Sequence, residues 1–440
     1  MPRITPLRRW LTLLVLLAAV LVAAFLWYRP LLNVGSGYAA KHACSCHFLQ
    51  GRALDDISAQ DLNFSVLGWF SLERDSQAVV ASLAGLVPRR AVYRPGFGCT
   101  LVQDGALPLG GAAAPPARST PGPAPAAPPD PTPELAAALD YGMQPVPGGG
   151  ARGLVVLQDG RLLGERYAPG FDATTPLLGW SMTKTVTALA LGAHFRRNLR
   201  YDSAGHAVNR SRLFPEWTDE RAAVTLADLL RMNSGLAWNE GYGSLTDATI
   251  MLHEQPDFAA YAAAMPTAWP PGRVWNYSSG TTNLLMQWLE NEFGNPAARD
   301  YFLYHSFLGR IAPSLLIEPD QSGTPVGSSY GWATARDWAN LGQFMLQDGV
   351  WAGDTLVNPD WIAWLRRPAP HSDGTYGGQL WLPGPRPAVL PPDAYVMRGF
   401  QDQRVFVVPS RRLVVARLGH GEDKVTDFDE LLRRILTALP

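Results

Sequence analysis

Residues 179–189 read Gly-Trp-Ser-Met-Thr-Lys-Thr-Val-Thr-Ala-Leu, and this stretch carries the strongest signal in the sequence. It predicts a helix over Ser181–His194, with Ser181 and Lys184 three residues apart and therefore on one helix face. Burial disfavours an ammonium group, as does the start of a helix, so the pKa of Lys184 should fall towards that of a useful base. A Ser–Lys pair of this kind can replace a Ser–His–Asp arrangement in nucleophilic catalysis.

The same two residues have a structural alternative, in which Ser181 caps the helix and Lys184 lies on a solvated face. The run that follows, residues 186–191, is almost entirely apolar and favours a buried helix instead. Lysine is also rare, because only Lys41, Lys184 and Lys424 occur and every other basic residue is Arg. Arg effectively never deprotonates, so a lysine in an apolar stretch indicates a specific chemical need.

Two further stretches carry polar residues suited to a cleft. Residues 276–280 read Asn-Tyr-Ser-Ser-Gly and precede a predicted helix, Thr282–Phe293. Tyr277 would donate and accept a proton there, with a nearby lysine holding its pKa down, although a purely structural tyrosine fits the pattern as well. Later, Arg398-Gly399-Phe400 leads towards the predicted strand Gln403–Val408, and the glycine would let backbone N–H groups approach a substrate.

Predicted strands open and close the part of the chain that carries these signals. Arg152–Gln158 and Arg161–Tyr167 flank Asp159-Gly160, a strong hairpin signal, and Gln403–Val408 and Leu413–Leu418 follow near the end. Strands from both ends that bracket a helical middle predict an α/β fold of the α+β type. We expect one antiparallel sheet flanked by helices, with an inserted helical lobe and a site between them.

The three signals, in this order, resemble the serine β-lactamase and penicillin-binding-protein superfamily. The resemblance is closest to the class C β-lactamase-like hydrolases, which include esterases and 6-aminohexanoate-oligomer hydrolases. It extends from about Ala151 to Gly419 and includes the stretches 225–236 and 327–337. It implies a β-lactamase/transpeptidase-like fold that needs neither a metal nor a cofactor.

The resemblance also implies a role for each site residue. Ser181 would be the acylated nucleophile, Lys184 its base and Tyr277 the residue that passes a proton to the leaving group. Main-chain N–H groups of Ser181 and of a residue near Phe400 would form the oxyanion hole. The remaining expected substrate-binding positions are Ser279, Arg398 and Gly399.

The sequence departs from the true class C pattern at three places. Ser279 stands where those enzymes keep an Asn, and Arg398-Gly399-Phe400 stands where they carry Lys-Thr-Gly. Asp402 occupies the usual position of a Gly, which puts the local oxyanion geometry in question. Loss of the Lys–Thr pair argues against efficient β-lactam hydrolysis, although Arg398 would still suit an anionic group if it points into the cleft.

The N-terminal part predicts a membrane anchor. A basic tail, residues 1–9, precedes an apolar span, residues 10–28, that is long enough to cross a bilayer, with aromatic residues at its ends. The excess of positive charge before the span predicts a single-pass protein with its bulk on the exported, periplasmic or extracellular side of the cell membrane. A cleaved signal peptide is the competing interpretation. We expect a small exported segment at 29–106, a Pro/Ala-rich linker at 107–133 and the main domain at 134–440.

Export permits a disulfide, and Cys99 would pair with Cys44 or Cys46 and leave one thiol free. The run from His42 to His47 also offers soft metal ligands, but its spacing matches no standard zinc pattern, so we expect no metal.

Charge is nearly balanced, with 37 basic and 38 acidic residues, which argues against a nucleic-acid partner. The sequence therefore predicts an exported, membrane-anchored serine hydrolase that cleaves a small amide, peptide-like or ester substrate through an acyl-serine. The alternative is an acylatable binding or sensor protein of the same fold with little turnover.

Overall fold

The computed structural model describes residues 6–103, 109–110, 130–197, 209, 211–385, 389–422 and 424–439. The helices are α1 (Pro6–Gln50), α2 (Leu54–Asp61), α3 (Pro133–Gly142), α4 (Thr183–Arg197), α5 (Leu226–Leu230), α6 (Asp247–Glu254), α7 (Phe258–Ala263), α8 (Ser279–Phe293), α9 (Pro296–Tyr301), α10 (Leu308–Ile311), α11 (Ala335–Leu346), α12 (Pro359–Leu365) and α13 (Phe428–Ala438). The strands are β1 (Ser71–Arg74), β2 (Ala78–Leu83), β3 (Leu86–Arg94), β4 (Gly98–Val102), β5 (Gly150–Gln158), β6 (Arg161–Tyr167), β7 (Leu177–Leu178), β8 (Leu316–Ile317), β9 (Gly331–Ala333), β10 (Val350–Trp351), β11 (Asp354–Thr355), β12 (Tyr395–Gly399), β13 (Gln403–Val408) and β14 (Leu413–His420).

The main sheet has five antiparallel strands in the order β12-β13-β14-β5-β6. It joins strands from both ends of the domain, with Val155 opposite Ala416, so the predicted sheet is confirmed. The predicted hairpin between β5 and β6 forms as well. Its turn residues, Asp159 and Gly160, have φ values of 53° and 72°, the left-handed conformation that a tight two-residue turn requires.

Alternating residues of the main sheet face two different cores, because successive side chains of a strand point to opposite faces. Val156 and Val415 pack with Leu139 of α3 and Leu432 of α13 on one face. On the other face, α11 lies so close to β13 and β14 that a Cβ at Gly342 would approach the side chain of Val405 to 2.8 Å. Helices therefore cover both faces, as predicted.

The helical lobe lies beyond α11 and is built around α4 and α8. All of α4 from Thr183 to Phe195 is buried, so no face of this helix meets solvent there. The predicted helix over Ser181–His194 differs only in its first turn, where Trp180–Met182 forms a 3₁₀ turn before α4 begins. Ser181 therefore lies at the junction between the sheet and the lobe.

Helix α11 begins directly after a short strand. Residues 331–333 form β9, which pairs with β7 and β8 in a three-stranded sheet. The side chain of Thr334 then caps α11 by accepting a hydrogen bond from the backbone N–H of Asp337. The backbone of residues 331–333 is thus paired within the sheet and does not extend the helix.

Helix α1 continues 22 residues beyond Tyr28, the end of the predicted span, and runs without a break to Gln50. The described residues contain one helix, this one, that is long and apolar enough to cross a membrane, on length and composition alone. The side chains from Leu11 to Ala24 are exposed, whereas those from Val34 to Cys46 are buried. The buried part packs against the four-stranded sheet β1-β2-β3-β4 and against α6. The predicted domain boundaries remain predictions, and most of the linker at 107–133 lies outside the described residues.

A buried carboxylate joins the N-terminal segment to the main domain. Glu318 accepts hydrogen bonds from Lys41 and Ser45 of α1, from the backbone N–H of Cys99 in β4 and from the indole N–H of Trp332. The structure also settles the open cysteine pairing, because Cys44 forms the disulfide with Cys99. Cys46 is left as a buried free thiol.

A second buried carboxylate, Asp61, makes a similar connection. It accepts hydrogen bonds from Arg52 and from Arg152 of β5 at 2.7 to 2.8 Å, and lies 3.1 Å from His42. Burial alone would raise the pKa of Asp61, but Arg152 and His42 outweigh it and hold that pKa well below its ordinary value. Residues 34–102 are therefore packed onto the main domain through paired, buried charges.

Candidate active site

The turn that carries the candidate nucleophile has an unusual backbone. Trp180 has a φ of 48°, a left-handed conformation that costs a bulky residue on the order of 1 to 3 kcal/mol. Its ring is held by Tyr38 of α1, whose centroid is 6.0 Å away, and by Phe400, at 5.7 Å. This packing fixes the turn and leaves Ser181 partly exposed at the wall of a cavity.

Lys184 is buried behind Ser181, which excludes the alternative of a solvated lysine. Its Nζ atom donates hydrogen bonds to Ser181 Oγ at 3.0 Å, to Ser279 Oγ at 2.9 Å and to the carbonyl of Ser328 at 3.1 Å. Burial lowers the pKa of Lys184 to about 8, while the charge of Glu240 acts in the opposite direction. A substantial fraction of this amine is therefore neutral near neutral pH and able to accept a proton from Ser181.

Tyr277 is the third side chain of the candidate catalytic group, beside Ser181 and Lys184. It lines the same cavity as Ser181, and its ring centroid lies 4.9 Å from Lys184 Nζ. The prediction that a nearby lysine holds the pKa of Tyr277 down is wrong. Burial raises that pKa well above its ordinary value, and the negative charge of Glu240 adds to the effect. Tyr277 is therefore a neutral phenol that can donate its proton, not a phenolate.

Glu240 is a central residue that sequence reasoning missed. Its carboxylate accepts hydrogen bonds from Ser279 Oγ at 2.6 Å, from Ser279 N–H at 2.9 Å, from Trp238 Nε1 at 2.7 Å and from Tyr242 OH at 3.2 Å. It lies in the loop between α5 and α6, far in sequence from the other site residues. An isolated acidic residue in a loop gives no periodic or motif signal, so only the fold could reveal it.

Ser279 occupies a different place from the one predicted. It is fully buried at the start of α8 and does not line the cavity, so the expected substrate contact is not supported. Its hydroxyl instead lies between the ammonium of Lys184 and the carboxylate of Glu240. Ser279 thus links the candidate base to a negative charge at the cavity wall.

The end of β12 lies directly beside the nucleophile turn. A Cβ at Gly399 would come within 2.2 Å of the carbonyl oxygen of Gly179, so only glycine allows this approach of two backbones. Phe400 follows at the cavity wall. The oxyanion hole formed by backbone N–H groups of Ser181 and of a residue near Phe400 stays a prediction.

Asp402, which departs from the family pattern, faces away from the nucleophile. Its carboxylate accepts backbone hydrogen bonds from Lys424, Val425 and Thr426 at 2.9 to 3.1 Å and forms an ion pair with Arg404. Burial would raise its pKa, but these partners lower it. Asp402 therefore stabilises the hairpin turn and the loop beside it.

A cavity of about 680 Å³ opens in front of Ser181. Ser181, Glu240, Tyr277, Arg398, Gly399 and Phe400 all line it. Arg398 lies with its guanidinium 4.7 Å from the ring centroid of Trp381, another lining residue. Another part of the wall is formed by α1 and by residues 64–67, both of which precede the predicted main domain.

The described residues contain one group that resembles a metal site. The ligand atoms of His42, Asp61 and His420 lie within 4.8 Å of one another and are buried. Asp61 already neutralises Arg52 and Arg152, so the group has little negative charge to offer a cation. Cys44 of the sequence run is in the disulfide, and His47 is hydrogen-bonded to the carbonyl of Arg52.

The five-stranded sheet, the helical lobe and the Ser–x–x–Lys pair at their junction define a β-lactamase-type fold, as the resemblance implies. The chain belongs to the Beta-lactamase family, whose model matches residues 135–439. Members of this family are generally serine hydrolases. No curated protein sequence matches the chain.

Solved structures agree on the fold. A Bacillus anthracis protein described as a candidate 6-aminohexanoate-dimer hydrolase has a TM-score of 0.54 and 18% identity, over 69% of this chain and 80% of its own. A penicillin-binding protein homologue from Caulobacter crescentus has a TM-score of 0.53 and 18% identity, over 71% of this chain and 98% of its own. At such identities the similarity shows the fold alone.

Proposed function

We propose that this protein is a serine hydrolase that cleaves an amide or ester bond through an acyl-Ser181 intermediate. The observation that carries the proposal is the buried Lys184, whose Nζ lies 3.0 Å from Ser181 Oγ and whose pKa is lowered to about 8. A buried amine with this pKa can act as a general base at ordinary pH.

The chemistry follows from the positions of three side chains. Neutral Lys184 accepts the proton of Ser181 as Oγ attacks the substrate carbonyl carbon. The oxyanion that forms is stabilised by backbone N–H groups of Ser181 and of the residue near Phe400. Tyr277 donates its proton to the departing amine or alkoxide and regains one from the Lys184 ammonium. Water then attacks the acyl carbon while Lys184 accepts its proton. The bond between the acyl carbon and Ser181 Oγ breaks, Lys184 returns the proton to Oγ, and the acid is released.

The substrate proposal is a small amide, peptide-like or ester compound. Arg398 lines the cavity, which supports binding of a substrate with an anionic group. The Lys-Thr-Gly sequence that serves β-lactam carboxylates is replaced by Arg398-Gly399-Phe400. We therefore expect poor turnover of β-lactam antibiotics and better turnover of simple esters and amides.

The membrane proposal rests on the exposed, apolar first half of α1. The first cluster of small residues, Gly35 to Ala40, lies well downstream of the apolar span and inside helix α1, which favours a retained anchor over a cleaved signal peptide. The disulfide between Cys44 and Cys99 is consistent with an oxidising, exported location. Carbonate extraction and protease protection of the full chain in cells would test the anchor and its orientation. Recovery of a soluble protein that lacks residues 1–28 would instead establish cleavage.

Intact-protein mass spectrometry after exposure to a fluorophosphonate tests the catalytic proposal. We expect one adduct on the wild-type protein, mapped to Ser181, and none on Ser181→Ala or Lys184→Ala. Ser71→Ala, which removes an exposed hydroxyl in β1, is the matched control and should label normally. A folded wild-type protein without an adduct would contradict the proposal. A burst of acylation without steady turnover would favour the acylatable sensor.

A further inference from the structure

Part of the wall of the active-site cavity belongs to the same helix that carries the apolar span. Leu31, Val34, Gly35 and Tyr38 of α1 line the cavity, and we call these four residues the α1 stripe. Their spacing of three and four residues places them on one face of the helix. Tyr38 also stacks on Trp180, the neighbour of the nucleophile, with the ring centroids 6.0 Å apart.

The α1 stripe lies close to the end of the proposed span. At a rise of 1.5 Å per residue, Leu31 is about 5 Å and Tyr38 about 15 Å along the helix from Tyr28. Trp27 and Tyr28 are exposed, and aromatic side chains of this kind favour the interface of a bilayer. The cavity therefore begins within the thickness of the headgroup region if α1 spans the membrane.

A second element that lines the cavity also supports a position of the cavity near the membrane interface. Phe64, Val66 and Leu67 line the cavity next to the α1 stripe, and Phe64 packs edge-on against Tyr38. Two residues further along, Trp69 is 67% exposed. An exposed tryptophan beside an apolar channel is costly in water but suits the membrane interface.

We infer that the natural substrate is the long-chain acyl ester or amide of a membrane amphiphile. Its acyl chain lies in the cavity along the wall that the α1 stripe and residues 64–67 form together, and its polar head points towards Arg398. The inference rests on the proposed function, and the bond that breaks is the one defined there. Ser181 takes the acyl group, the head departs with a proton from Tyr277, and water releases the fatty acid.

The course of helix α1 also indicates how an acyl chain would pass from the bilayer to Ser181. A chain that leaves the bilayer beside α1 would remain in contact with apolar side chains from the span to Ser181. Each methylene group that is kept from water contributes roughly threefold to fourfold in affinity. Acyl chains long enough to fill the space beside the α1 stripe should therefore be preferred over acetyl groups by one or more orders of magnitude.

The test uses the full chain in nanodiscs and p-nitrophenyl esters of acetate, octanoate and palmitate. We expect kcat/KM of the wild type to rise at least about tenfold from acetate to palmitate. Val34→Trp fills the cavity and should lower the palmitate-to-acetate ratio about tenfold. If Val34→Trp does not fold, Leu31→Trp takes its place. It fills the membrane end of the cavity and should lower the same palmitate-to-acetate ratio. Leu26→Trp, on the exposed part of α1, is the matched control and should keep the wild-type ratio.

The source of the acyl chain is tested with palmitate ester placed either in the same nanodisc as the protein or in separate nanodiscs. Faster initial hydrolysis in the shared nanodisc is expected, and equal rates would contradict delivery from the bilayer. Ser181-dependent hydrolysis of acetate with a flat chain-length profile, or a ratio unchanged in both Trp variants, would overturn the inference and leave the proposed function standing. If no ester is hydrolysed and no fluorophosphonate adduct forms, both the inference and the proposed function are contradicted.

Discussion

Ser279 Oγ donates a hydrogen bond of 2.6 Å to Glu240 Oε1 and accepts one of 2.9 Å from Lys184 Nζ. A carboxylate at the cavity wall is thereby connected to the candidate base through one hydroxyl. Glu240 raises the pKa of Lys184, whereas burial lowers it to about 8. Because Glu240 and burial shift the pKa of Lys184 in opposite directions, Glu240 helps to set the pH range in which Lys184 is neutral.

Glu240→Gln should shift the pH dependence of kcat/KM. Activity requires neutral Lys184, so the wild-type rate should rise with pH through an apparent pKa of about 8. Removing the negative charge destabilises the ammonium form, so the acid limb of the variant should move to lower pH. Glu220→Gln, which changes an exposed carboxylate, is the control. An unchanged limb in Glu240→Gln would exclude this electrostatic role.

Lys184→Arg should keep the positive charge but remove the base. Arg effectively never deprotonates, so it cannot accept the proton of Ser181. General-base catalysis contributes about 10² to 10⁴, and we expect kcat/KM to fall within this range. The ionisation near pH 8 should also disappear from the pH–rate profile of any residual activity. Wild-type activity in Lys184→Arg would show that Lys184 acts only through its charge.

Tyr277→Phe should separate amide from ester hydrolysis. The phenol is protonated because burial raises its pKa, and its proposed task is to protonate the leaving group. Amines depart far less readily without a proton than p-nitrophenolate does. The variant should therefore lose about 10² or more in kcat for amides and clearly less for p-nitrophenyl esters. Equal losses for the two substrates would assign Tyr277 to positioning, and Tyr301→Phe, an exposed tyrosine, should change neither rate.

The buried ion pair of Lys41 and Glu318 should stabilise the attachment of α1 through coupled charges. Glu318→Gln leaves Lys41 buried without its partner, and such losses typically cost about 3 to 5 kcal/mol of the free energy of unfolding. Lys41→Met should lower the free energy of unfolding by a similar amount because it leaves the buried carboxylate of Glu318 without its cation. The double variant strands neither charge, so its loss should be clearly smaller than the sum of the two single losses. Denaturant unfolding of all four proteins checks this, and strict additivity would show that the two residues are not coupled.

Much of the fold was predictable from local sequence patterns. The Asp159-Gly160 turn, the strands at both ends of the domain and the spacing of Ser181 and Lys184 each depend on a few neighbouring residues. Backbone conformation and helix periodicity act over this range, so the sequence alone determined the sheet, the hairpin and the Ser–Lys pair. The order of the motifs then indicated the family.

The tertiary structure decided what depends on distant residues. Glu240 and Ser279 meet only because the loop after α5 folds against the start of α8. The pKa of Tyr277 is raised mainly by burial, which no motif encodes, and further by the charge of Glu240. The wall of the cavity comes from α1, more than 140 residues before Ser181 in the chain. Burial and electrostatic fields sum over neighbours in space, and these neighbours exist only once the chain has folded.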